Sequence, residues 1–96
     1  MTSFEEIKQL IYNGQVQEAI ARLDKQIERQ PLAPPVGPID EAYYLRGNAY
    51  RKMGDWQRAL NDYQLAIDNN PSSPALQARK MVIDILNFYH KDMYNQ

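Results

Sequence analysis

A chain of 96 residues, 44% hydrophobic and 24% charged, has room for one hydrophobic core and not two, and its composition is that of an ordinary soluble globular domain. Its formal net charge of −1 gives no general attraction for phosphate backbones or anionic lipid, so neither nucleic acid nor a membrane surface is expected as a partner. No apolar run approaches the roughly 20 residues of a membrane helix, the acidic start Met1 to Glu6 is unlike a secretory leader, and the absence of cysteine excludes thiol chemistry while fitting an expected cytoplasmic location.

In chain order, Ser3 and Glu6 have the spacing of a capping box, and Phe4, Ile7, Leu10 and Ile11 recur every three or four residues as on a helical face. Gly14 can take the left-handed conformation that ends this first helix. Asn13-Gly14 is also a common two-residue hairpin turn, but the flanking apolar residues do not alternate, which argues against strands. Val16, Ala19, Ile20, Leu23 and Ile27 mark a second helix closed by Pro31. Residues 32–39 are rich in proline; the two P-x-x-P spacings between Pro31 and Pro38 could dock on an SH3-type domain, but a stiff connector needs the same composition. Asp40 is the expected N-cap of a third helix carrying Tyr43, Tyr44, Gly47 and Tyr50 and ending at Gly54. Trp56, Ala59, Leu60, Tyr63, Ala66 and Ile67 form the apolar face of a fourth, stopped by Pro71. Ser73 and Pro74, a cap followed by a first-turn proline, open a fifth that runs to about residue 92.

Two of these units are one unit used twice. At an offset of 40, Gly14 falls on Gly54, Gln17 on Gln57, Ala19 on Ala59, Ile27 on Ile67 and Pro31 on Pro71. Each unit is therefore expected to be a helical hairpin. The second reads Tyr43-x2-Arg46-Gly47-x2-Tyr50, then Ala59-x3-Tyr63, then Pro71. It resembles the tetratricopeptide repeat (TPR), a unit of about 34 residues with the pattern W-x2-L-G-x2-Y, A-x3-F and P. Arg46 is the one real departure, standing where a leucine is expected, with Leu45 beside it. The resemblance divides the single domain into a degenerate first repeat (2–31), an inserted loop (32–39), a second repeat (40–73) and a C-terminal capping helix (74–92). In the first repeat Leu10, Gly14, Ala19, Leu23 and Pro31 fit, but Ile7 replaces the small glycine.

The resemblance implies an all-α, right-handed array of five helices whose first helices line a concave surface, with Gly47 and Ala59 allowing close helix approach beside Tyr50, Tyr63 and Trp56. It places Glu41, Tyr44, Asn48, Arg51 and Lys52 on that surface, with Phe4, Lys8, Ile11 and Tyr12 from the first helix and Arg79, Val82, Ile85 and Leu86 from the fifth. Such a groove binds a protein or peptide segment: Asn48 can pair with a peptide backbone, Tyr12 and Tyr44 offer rigid contact area, and Arg51, Lys52 and Arg79 favour an acidic ligand or a C-terminal carboxylate. The same cations would serve equally as solvated helix positions. The carboxylate clamp by which some members hold chaperone tails is not expected, because Tyr44, Phe4, Lys8 and Leu45 occupy positions where its lysine and asparagines belong, and Arg79 alone matches.

The fifth helix carries Met81, Val82, Ile83, Ile85, Leu86, Phe88 and Tyr89 nearly all the way round, whereas a terminal cap is usually polar outside. Self-association into a homodimer through Leu86, Phe88 and Tyr89 is the alternative use of the chain. Catalysis is not expected. Ser3, Ser72 and Ser73 sit where helix caps belong, His90 is the single histidine, with only Asp92 nearby, and no glycine-rich loop could cradle a phosphate. Neither a metal nor a cofactor is implied.

Overall fold

The computed structural model describes residues 3–29 and 38–94, with side chains described as far as residue 88. Among these residues there are five α-helices and no strand: α1 (Phe4–Tyr12), α2 (Val16–Glu28), α3 (Ile39–Met53), α4 (Trp56–Asn69) and α5 (Ala75–Tyr94). Pro31 and the P-x-x-P spacings lie outside the described residues, as do the side chains of Tyr89, His90 and Asp92.

The two hairpins turn by the same chemistry. After α1 the Gly14 N–H donates to the Ile11 carbonyl at 3.1 Å and the Gln15 N–H to the Leu10 carbonyl at 2.8 Å. Forty residues on, the Gly54 N–H donates to the Arg51 carbonyl and the Asp55 N–H to the Tyr50 carbonyl, both at 2.9 Å. This pair of bonds requires a left-handed residue, and Gly14 and Gly54 supply it with φ of +88° and +82°. Ser3 Oγ accepts from the Glu6 N–H at 3.2 Å, Asp55 Oδ1 from the Arg58 N–H at 3.2 Å, and Ser73 Oγ from the Ala75 N–H at 3.1 Å, so α1, α4 and α5 each start on a side-chain cap.

α3 starts differently from expectation. Its N-cap is Pro38, whose φ of −60° and ψ of 140° lead the chain into the helix without a side-chain bond, and Asp40 lies inside the first turn. The Asp40 carboxylate accepts instead from the Asn70 side-chain amide at 3.1 Å, tying the start of α3 to the end of α4.

Each helix buries its apolar stripe against its neighbours in sequence: α1 on α2, α3 on α4, with α2 seated against α3, α5 against α4, and α1 meeting α3 alongside. Ile7, Ala19, Leu23, Ala42 and Leu45 form the core of the first three helices, while Ala59, Tyr63, Ala66, Ala75, Ala78 and Val82 form that of the last. Val16, Ile20 and Ala49 join the two hairpins. Gly47 is needed for the approach of α3 to α4. A Cβ there would stand 2.7 Å from two ring carbons of the fully buried Tyr63 and 3.3 Å from the Ala59 carbonyl.

Arg46, the departure from the repeat pattern, replaces an apolar contact with a polar one. Its guanidinium donates twice to the Asp62 carboxylate, at 2.8 Å each, and once to Asp24 at 2.9 Å, joining α3 to both α4 and α2, and it lies 5.7 Å from the centre of the Tyr43 ring. The two-pronged geometry suits a carboxylate that is only 4% exposed. Hydrogen bonding to Asp62 raises the Arg46 pKa above its ordinary value despite the opposing effect of burial, so the charge is permanent. The first hairpin carries the opposite signs at the corresponding positions in a looser contact, since Arg22 donates to Glu18 at 2.9 Å. Glu6 stands where Arg46 stands, Arg22 where Asp62 stands, and the two meet at 3.8 Å on the surface.

Candidate functional site

α3 presents Glu41, Tyr44, Leu45, Asn48, Arg51 and Lys52 at three- and four-residue steps, which brings them to one side of the helix. Beside α1 that side opens into two clefts. The first, about 420 Å³, has an apolar lining of Ile11, Tyr12 and Leu45, with Lys8, Arg51, Lys52 and Asn48 around it. None of these is acidic. The second, about 310 Å³, is lined by Asp40, Glu41 and Tyr44 of α3 together with Lys8 and, from the turn into α5, Ser73 and Pro74. Lys8 borders both.

The polar groups of the first cleft are held in defined states. Tyr63, buried beneath α3, donates its hydroxyl to Asn48 Oδ1 at 2.6 Å. Burial pushes the Tyr63 phenol up to about 12, against the opposing charge of Arg51, so this hydroxyl remains a donor. With its oxygen engaged, Asn48 offers its amide N–H groups to a ligand. Lys52 Nζ donates to the Tyr12 carbonyl at 3.0 Å, where it counters the negative end of α1, and lies 5.9 Å from the centre of the Tyr12 ring. Lys8 is 3.3 Å from Glu41 and 3.5 Å from Glu5. Its pKa is raised, first by the hydrogen bond to Glu41. Arg51 forms no ion pair with a described residue. Tyr12 is 80% exposed and Tyr44 half-buried, its ring centre 6.1 Å from that of Tyr63.

Of the residues expected at the groove, Lys8, Ile11, Tyr12, Asn48, Arg51 and Lys52 therefore lie around one cleft, and Tyr44 and Glu41 line the adjoining one. Phe4, Arg79, Val82, Ile85 and Leu86 line neither cleft. Phe4 packs inward with Ile7 and Leu23 and is 9% exposed, because the capped first turn of α1 points it at α2. Val82 is fully buried against α4, since its partners at one-turn and two-turn spacing are Ala78 and Ala75, small residues that draw α5 close. Arg79 is half-buried on α5 and lines neither cleft. Ile85 and Leu86 are also half-buried, Leu86 against the α4–α5 core, while Phe88 is 64% exposed. Tyr63 escaped the sequence reading as a site residue. An aromatic hydroxyl on a buried face always needs a partner, and that is the signal that leads to Asn48.

Among the described residues no group of three or more His, Cys, Asp or Glu could hold a metal ion, and no helix is long and apolar enough to cross a membrane.

Comparison with known proteins agrees with this architecture. The solution NMR structure of Bacteroides fragilis protein BF1650 is 58% identical in sequence and superposes with a TM-score of 0.82, over all of this chain and 92% of that one. No curated protein matches the sequence. Residues 40–73 match the family model of the tetratricopeptide repeat, and the chain, with its glycine-turned hairpins stacked on a C-terminal helix, belongs to the tetratricopeptide-repeat family.

Proposed function

We propose that the chain is a non-catalytic interaction module that holds an extended segment of another protein in the cleft between α1 and α3. TPR domains are in general protein–protein interaction modules, and the observation that supports this particular groove is the state of Asn48. A buried phenol fixes its oxygen, so its amide donors are presented beside Arg51 and Lys52 over an apolar lining free of carboxylates. Oriented donors of this kind bind backbone carbonyls or carboxylates, and the apolar lining accepts a side chain between them.

The test is capture of partners from a lysate of the native host, comparing the wild-type chain with Tyr44→Ala/Asn48→Ala/Arg51→Ala. The variant is expected to lose the proteins that the wild type retains. Identical sets of retained proteins would reject the groove.

A second reading rests on α5. Met81 and Phe88 are exposed, and with the half-buried Ile85 they fall at four- and three-residue steps on one stripe of the helix. Such a stripe supports association of two copies. Light scattering during gel filtration decides it: a dimer that Phe88→Asp converts to monomer is expected, and a wild-type monomer at micromolar concentration would rule it out.

A further inference from the structure

We infer that the segment held by this groove carries a positive and a negative charge about five residues apart, its anion at the end of α3 and its cation at the beginning. The inference rests on the groove proposed above and adds the chemistry of its occupant. The two clefts lie in series along α3 and have opposite character. Arg51 and Lys52 border a cleft without a carboxylate, whereas Asp40 and Glu41 border the other. Acids in the first turn and bases in the last turn also complement the helix dipole, which accounts for their presence on α3. The dipole does not require that both sets border the clefts lined by α1, and they do.

Spacing follows from helix geometry. The midpoints of the acidic pair and the basic pair are eleven positions apart in sequence, which at a rise of about 1.5 Å per residue is about 16 Å. An extended peptide advances about 3.3 Å per residue and covers that distance in about five. Lys8 lies between the two ends, borders both clefts and is paired with Glu41 at 3.3 Å. A ligand cation takes its place at Glu41, and the released ammonium turns to the side already occupied by Arg51 and Lys52.

The experiment is a titration of the full chain, followed by backbone amide shifts, with three hexapeptides acetylated and amidated at their ends. One has Lys first and Glu last around the apolar middle Ala-Leu-Val-Ala; one has Glu at both ends and one has Lys at both. The mixed peptide is expected to shift amides between residues 41 and 52 and to bind about threefold more tightly than either like-charged peptide, the order expected of one exposed ion pair. Glu41→Lys is expected to reverse this and favour the peptide with two Glu. Equal affinity of all three at these amides would overturn the charge requirement and leave the groove standing. Shifts confined to residues elsewhere, or none at millimolar peptide, would overturn the inference, and the fate of the groove would then be read from the capture experiment.

Discussion

Replacing Arg46 by the leucine of the repeat pattern should damage the fold although it restores the consensus. The guanidinium, 19% exposed, supplies both hydrogen bonds by which Asp62 is satisfied, and the Asp62 carboxylate is 4% exposed. Removing one partner of a buried ion pair costs about 3–5 kcal/mol, because a charge is left desolvated without compensation. The leucine offsets about 1–2 kcal/mol of this through apolar burial. A net loss of about 2–3 kcal/mol lowers the melting temperature of a domain of this size by roughly 10–20 °C. Thermal unfolding at pH 7, followed by helical circular dichroism, measures it. Arg46→Leu combined with Asp62→Leu should recover most of the loss, since removing a buried pair entirely is often neutral. A single variant as stable as the wild type, or a double variant no better than the single one, would refute the reasoning.

Gly47→Ala is expected to cost about 1–2 kcal/mol in urea unfolding, the overpacking against the sealed Tyr63 ring outweighing the gain of about 1 kcal/mol that alanine brings to a helix. A more stable variant would show that α3 and α4 can separate freely. Tyr63→Phe tests the buried phenol. Its pKa is raised from 10.0 to about 12, so the neutral form is favoured on folding, and its contribution is complete below pH 10 and lost as the pH rises through 12. Between those values the wild type should lose more stability than Tyr63→Phe, whereas parallel curves would contradict it. At pH 7 the same variant should lose about 1 kcal/mol with the hydrogen bond to Asn48, and its ligand affinity should fall because the Asn48 amide is no longer fixed.

What could be read from the sequence was whatever is local or repeated. Gly14 and Gly54 stand at the end of a helical stripe, and both make the turn that such a position needs. The stripes of α2 and α4 put Ala19, Leu23, Ala59 and Tyr63 in the core for the same reason. Asp40 is not the N-cap its position suggests, because Pro38 already supplies the extended entry to α3 and the carboxylate is bonded to Asn70, thirty residues away. Arg46 reads in the sequence only as a departure from the pattern, since nothing local says that Asp24 and Asp62 converge on it. The available hint was Asp62 itself, a charge on the stripe of Ala59, Tyr63 and Ala66 that could be buried only with a partner. Phe4 and Val82 were carried to the groove by correspondence of position. Their own stripes, shared with Ile7 and with Ala75 and Ala78, point into the core.

The exchanged signs of the two interhelical ion pairs bear on how a chain built from two similar hairpins finds its proper partners while it folds. Helices of similar shape invite mispairing within a molecule or between two of them. Were α1 to dock on α4, Glu6 would face Asp62; were α3 to take the place of α1 on α2, Arg46 would face Arg22. Each error sets like charge against like at the position where the native pairing sets opposites, at a cost that is larger at the buried Asp62 than at the more exposed Arg22. The two hairpins carry opposite signs at corresponding positions, so a helix docked on the other hairpin meets repulsion where its own partner offers attraction.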